Sequence, residues 1–155
     1  SEMDFKEEFV GETFGRINKA EADLLLSELK IYINRISGNR ILEEKIDFGI
    51  ISPYKAQVQY LRNKIKADAS LKPYRSLFTV NTVDGFQGQE RDVIFISLVR
   101  ANEEGQIGFL NDLRRMNVAI TRARMKLVIL GEAETLKHHG FYRKLLEFIQ
   151  NIGNQ

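Results

Sequence analysis

The chain has no cysteine among its 155 residues, which excludes disulfides and thiolate metal sites and suits a reducing, cytoplasmic setting. No apolar stretch approaches the roughly 20 residues of a bilayer-spanning helix. The longest, 93–98, is itself broken by Ser97, so no membrane association is expected. The opening "SEMDFKEEF" is acidic and lacks the basic-then-apolar pattern of a secretion signal. Two further absences concern chemistry. None of the eleven glycines is followed by lysine, so there is no Gly-x4-Gly-Lys-[Ser/Thr] phosphate loop. Nor does any adjacent Asp-Glu pair offer a magnesium site. Alone, the chain is expected not to hydrolyse a nucleoside triphosphate. The two histidines, His138 and His139, are adjacent and would point about 100° apart on a helix, which reads as a polar helix end and not a metal site.

What is present is an ordinary globular composition, 43% hydrophobic and 28% charged, in a length that fits one domain. The net charge is only +2, a small excess for a nucleic-acid binder. Its distribution is uneven, however. The first fifty residues lean acidic, whereas 55–75 (Lys55, Arg62, Lys64, Lys66, Lys72, Arg75) and 114–126 (Arg114, Arg115, Arg122, Arg124, Lys126) are basic blocks able to form a local basic face.

Residues 1–17 read as an irregular segment punctuated by Gly11 and Gly15, and 18–150 as a single domain. Asn18 and Glu21 have capping-box spacing, and Leu25, Leu29, Tyr32, Ile33 and Ile36 follow at helical spacing. These predict a helix over 19–36, stopped by Gly38. "DFGIIS" (47–52) reads as a buried strand, and Pro53 opens a helix running to about 67. Strands are expected at 77–83 and 92–99, with the turn "DGFQGQE" between them. A loop over 101–112, a helix over 112–123, a strand over 126–131 and a helix over 134–150 complete the chain. Short apolar strands alternating with helices predict a three-layer α/β domain with a mainly parallel sheet. Ligands of such sheets sit beyond the carboxyl ends of the strands.

Three segments carry more polar detail than a core needs. In "SPYKAQ" (52–57), Ser52 is placed either to cap the helix or to meet phosphate oxygens. In "NTVDGFQGQE" (81–90), Gly85 and Gly88 bracket Phe86 and Gln87, and Asp84, Gln87 and Glu90 are able to bond hydroxyls, main chain or one another. A well-made turn accounts for the same residues. In "DLRRMNVAITRAR" (112–124), Leu113, Met116, Ile120 and Ala123 form an apolar stripe. Arg124 falls where a helix-end cation suits the macrodipole, which explains Arg122 less well. Arginine is the residue of choice where a planar donor fork must meet phosphate.

The order and spacing of "GIISPYKAQ", "TVDGFQGQERDVIFISLVRAN", "GFLNDLRRMNVAITRAR" and "LVILG" resemble motifs IV, V and VI of the superfamily 1 helicases. The similar branch is the one with the nonsense-mediated-decay RNA helicase and related DNA replication helicase-nucleases. The resemblance runs from about Ile50 to Gly131, with Leu113 where many relatives have proline. It implies a RecA-like second lobe, part of a longer protein, whose first lobe carries the missing phosphate loop and binds most of ATP and its Mg2+. By the same resemblance, Arg122 would be the arginine finger, and Gly88 and Glu90 would meet the nucleotide, Glu90 at a ribose hydroxyl. Ser52, Pro53, Tyr54, Thr82 and Val83 would contact single-stranded DNA or RNA, and Asp84 and Gln87 would link the two sites. A binding module of similar fold that grips nucleic acid or protein without hydrolysis is the alternative.

Overall fold

The computed structural model describes residues 8–9, 16–86, 89–99 and 123–130. The expected loop 101–112, the helix over 112–122 and the final helix 134–150 lie outside the described residues, as do Gln87, Gly88 and Arg122. The first 17 residues, read as irregular, contain a small antiparallel pair, β1 (Glu8–Phe9) with β2 (Arg16–Ile17).

Helix α1 spans Lys19–Ile36, the expected range, and buries Ala22, Leu25, Leu26, Leu29 and Ile33. Asn18 caps it: its Oδ1 accepts the Glu21 N–H at 2.9 Å. The reciprocal half of the capping box is absent, because the Asn18 N–H donates to Gln57 Oε1 at 2.9 Å. The Glu21 carboxylate instead accepts from Ser97 Oγ at 2.5 Å and from the Val99 N–H at 3.0 Å. Gln57 closes the network, its Nε2 donating to Asn18 O and Ser97 Oγ at 3.0 Å each. All four side chains are fully buried. Such a network is tolerated inside a protein because most of its polar atoms are paired, with Asn18 Nδ2 the exception among the described residues. It binds the start of α1 to the end of a central strand, where Val99 takes a left-handed φ of 73° that a β-branched residue rarely adopts.

The helix stop differs in kind from the expectation. Ser37, not Gly38, takes the positive φ (89°) and returns its N–H to Ile33 O. Gly38 then opens a further helix, α2 (Gly38–Glu44), which the sequence reading omitted. Its lack of a side chain serves packing: a Cβ there would sit 2.1 Å from Tyr74 Oη. Tyr74 belongs to a 3-10 helix, Ala69–Leu77, that follows α3 (Lys55–Ala67).

Four parallel strands form the sheet in the order β4 (Phe78–Thr82), β3 (Phe48–Ser52), β5 (Arg91–Ser97), β6 (Ala123–Leu130). Every residue of β3 is buried, the pattern of a strand covered on both faces. This is the RecA-like α/β arrangement that the motif resemblance implied. Phe48, Ile50, Val93 and Phe95 pack with Leu25, Leu29, Leu61 and Ile65 of α1 and α3. The Phe48 ring meets Tyr32 and Phe78 edge-on, at centroid distances of 6.1 and 5.3 Å. Among the described residues no helix is long and apolar enough to cross a membrane.

Three members of the basic block of α3 and the 3-10 helix are engaged within the fold. Arg62 donates twice to Val80 O, at 2.9 and 2.6 Å, covering a carbonyl of β4. Arg75 donates to Lys66 O, and Lys64 pairs with Asp23 at 3.5 Å. Of that block, Lys55, Arg62, Lys66 and Lys72 are exposed.

Candidate functional site

The sheet has two working edges. At the carboxyl edge, Ser52 and Thr82 lie side by side as register partners ending β3 and β4. Ser52 is buried, and its Oγ accepts the Tyr54 N–H at 3.4 Å, a local turn contact just ahead of α3, which has no side-chain cap of its own. Pro53 and Tyr54 are half-buried and lead into α3, and Lys55 is exposed beside them. Thr82 Oγ1 accepts the Gly85 N–H at 3.3 Å, while Asn81 accepts the Thr82 N–H and donates to Gly85 O. These bonds coil the expected turn into a short helix, α4 (Val83–Phe86). Val83 and Phe86 are buried under it, and Asp84 is exposed.

From α4 the chain must return to the opposite edge to start β5, crossing β3 on the way. Gly49 makes the crossing possible. The Phe86 ring lies so close that a Cβ on residue 49 would be 2.5 Å from its Cζ. Arg91 then clamps the returning segment. Its Nη2 donates to Gln89 Oε1 at 2.7 Å and to Thr79 Oγ1 of β4 at 3.0 Å, and its Nη1 to Glu90 O at 2.6 Å. The guanidinium sits 5.4 Å from the Phe86 centroid, within cation–π range. Eight residues, 83–90, thus join the two edges, about 16 Å apart for a five-residue strand.

At the amino edge stand Glu90, exposed, just before β5, and Arg124, second residue of β6. Arg124 is therefore not a helix-end cation. The expected helix yields to strand by Ala123, because that residue already pairs with Arg91 of β5. The Arg124 guanidinium donates to three carboxylates: Nε to Asp92 Oδ1 at 2.9 Å, Nη2 to Asp47 Oδ1 at 3.2 Å, and Nη1 to Glu90 Oε2 at 3.3 Å. Burial pushes the Asp92 carboxyl up, but its bonds from Arg124 and from the Asp47 N–H outweigh this and hold it below the usual carboxylate range.

Of the residues singled out from the sequence, the fold brings Ser52, Pro53, Tyr54, Thr82, Val83 and Asp84 to one edge and Glu90 to the other. The amino edge is opposite to where open α/β sheets usually take ligands. Arg91, Asp47, Asp92 and Gln57 were missed. One signal was available: Asp47, Asp92 and Arg124 each stand at the opening of an apolar run, where three strands begin. Among the described residues no group of three or more His, Asp or Glu side chains is placed to hold a metal.

Residues 2–134 match the family described as AAA domain. The chain is similar to the probable helicase MAGATAMA 3 of Arabidopsis thaliana, 41% identical over 137 residues, covering 88% of this chain and 16% of that protein. It is similar to helicase sen1 of Schizosaccharomyces pombe, 46% identical over 99 residues, 64% of this chain and 6% of that protein. With the regulator of nonsense transcripts 1 homolog of Drosophila melanogaster it shares 36% identity over 148 residues, 94% of this chain and 12% of that protein. The chain thus spans well under a fifth of the length of these relatives.

Proposed function

Because the chain belongs to the AAA domain family and, within it, to the superfamily 1 helicases of the nonsense-mediated-decay branch, we propose that it is the second motor lobe of an ATP-dependent nucleic-acid helicase or translocase. A first lobe with a phosphate loop completes the motor and binds most of ATP and its Mg2+. Arg122, one residue before β6, reaches the γ-phosphate and stabilises charge in the transition state. Glu90, with Gly88 before it, accepts from a ribose hydroxyl. An exposed carboxylate on a clamped main chain suits that role.

At the other edge, Tyr54 and Thr82 grip the sugar-phosphate backbone of a single strand. Ser52 and Val83 are buried, so their part is to place these neighbours and offer main-chain groups. Backbone gripping tolerates any sequence and weakens with salt, as a translocating motor requires. Asp84 and Gln87, on the crossover, carry the nucleotide state to the strand.

The observation that carries this reading is the 83–90 crossover. It ties Thr82, at one edge, to Glu90, at the other, through a Phe86 ring seated on Gly49. The test is single-strand affinity of the two-lobe protein across a salt series. Tyr54→Ala and Thr82→Ala are each expected to weaken binding about tenfold, the order of one lost hydrogen bond to a charged group. Unchanged affinity at every salt concentration would remove both residues from the strand path.

A further inference from the structure

The carboxylates around Arg124 are not equivalent. Asp47 and Asp92 are fixed by each other's main chain: the Asp92 N–H donates to Asp47 Oδ1 at 2.7 Å, and the Asp47 N–H to Asp92 Oδ2 at 3.1 Å. Arg124 is anchored on this rigid pair through Nε and Nη2, which leaves Nη1 directed at Glu90. Glu90 has a longer side chain, half exposed at 52%, whose rotamers the main chain alone does not determine. Its carbonyl is held by Arg91 and its carboxylate by Arg124, so two arginines from different strands fix the two ends of one residue.

The strand geometry supports the same role. Arg91 pairs with Ala123, but Val93 pairs with Lys126, so β6 uses three steps where β5 uses two. A bulge of this kind re-aims a side chain at the rim of a sheet, and here it falls on the stretch holding Arg124. As an exposed ion pair alone, Arg124 would contribute little to stability. A planar fork bridging three carboxylates is a geometric device that a lysine, with its single point charge, cannot reproduce.

We infer that Arg124 is a positioning residue for nucleotide recognition: anchored on the Asp47–Asp92 pair, it orients the Glu90 carboxylate toward the ribose and pins the start of β6 beside it. The inference rests on the reading of Glu90 as a ribose contact. Arg124 touches no substrate; it acts through Glu90.

The test uses the two-lobe protein with Arg124→Lys, Glu90→Ala and the double variant, assayed with ATP and with 2′,3′-dideoxy-ATP. Arg124→Lys is expected to raise KM for ATP about tenfold, the order of a misplaced charge-assisted hydrogen bond, with a smaller change in kcat. It should leave KM for the dideoxy nucleotide unchanged and have no further effect in the Glu90→Ala background. A merely structural role would weaken both nucleotides, in both backgrounds alike, and would overturn the inference. If Glu90→Ala loses ribose discrimination while Arg124→Lys keeps it, the inference alone fails. If Glu90→Ala keeps discrimination, the ribose reading fails and takes the inference with it. Arg124→Gln, which retains N–H donors, is read in the same way should the lysine variant not fold. Failure of both to fold would make Arg124 a structural residue and overturn the proposal.

Discussion

Arg122→Ala in the two-lobe protein is expected to lower strand-stimulated ATP turnover about a thousandfold, the lower end of what an arginine finger supplies. The effect should fall on kcat. In the proposed two-lobe motor, ground-state binding of ATP would depend mostly on the other lobe, whereas the finger would meet charge that develops only as the γ-phosphate transfers. Strand affinity should stay near its original value, because the contacts proposed for the strand lie at the far edge of the sheet. Arg122→Lys should recover only part of the rate, since a point charge replaces a fork. Steady-state kinetics with saturating single strand gives all these quantities, and turnover near the unsubstituted level would make the finger assignment wrong.

Gly49→Val should produce the second large effect, and it acts far from any bound group. A Cβ at this position meets Phe86 Cζ at 2.5 Å and Cε2 at 2.8 Å, and Arg91 Cγ at 3.3 Å. Phe86 is 1% exposed and has no room to swing aside, so the crossover must lift off β3. Overpacking of this kind costs about 1–3 kcal/mol, and each kcal/mol lowers Tm by roughly 2–4 °C at this size. The functional loss should be larger than the loss of stability, because Phe86 and Arg91 tie the stretch between Thr82 and Glu90 to the sheet. Stimulation of ATP turnover by single strand should fall sharply, while basal turnover changes less. Combining Gly49→Ala with Phe86→Leu should restore part of the coupling by giving the Cβ space. A Gly49→Val protein with normal Tm and normal stimulation would mean that Phe86 does not depend on this seat.

Local patterns read well from the sequence and contacts between distant residues did not. Helix α1 is delimited by Asn18 and by apolar spacing, both local, and it falls where expected. The strands β3 and β5 were legible as short β-branched runs, and their burial follows from position in a parallel sheet. By contrast, Glu21 was read as a capping partner. Its carboxylate instead joins Ser97, 76 residues away, and Gln57 takes its place at the Asn18 N–H from 39 residues away. Arg124 was read by helix rules because Leu113, Met116 and Ile120 keep helical spacing up to it. What places it is strand pairing with β5 and an Asp47 contact across 77 residues. Gly38 was read as a stop because glycine favours helix ends, whereas its role is to admit Tyr74. The motif segments named which residues to examine but not what they touch. The separation of Thr82 and Glu90 onto opposite edges became visible only once the strand order was known.

The central claim is division of labour: this lobe supplies a cation, a ribose contact and a strand track to an ATP that another lobe holds. ATP turnover by the 155-residue chain, with and without a joined lobe that carries a phosphate loop and an Asp-Glu pair, tests it most directly. No turnover above background is expected from the chain alone, whatever strand is added, and strand-stimulated turnover that requires Arg122 is expected from the joined lobes. Hydrolysis by the chain alone, abolished by Arg122→Ala, would contradict the account.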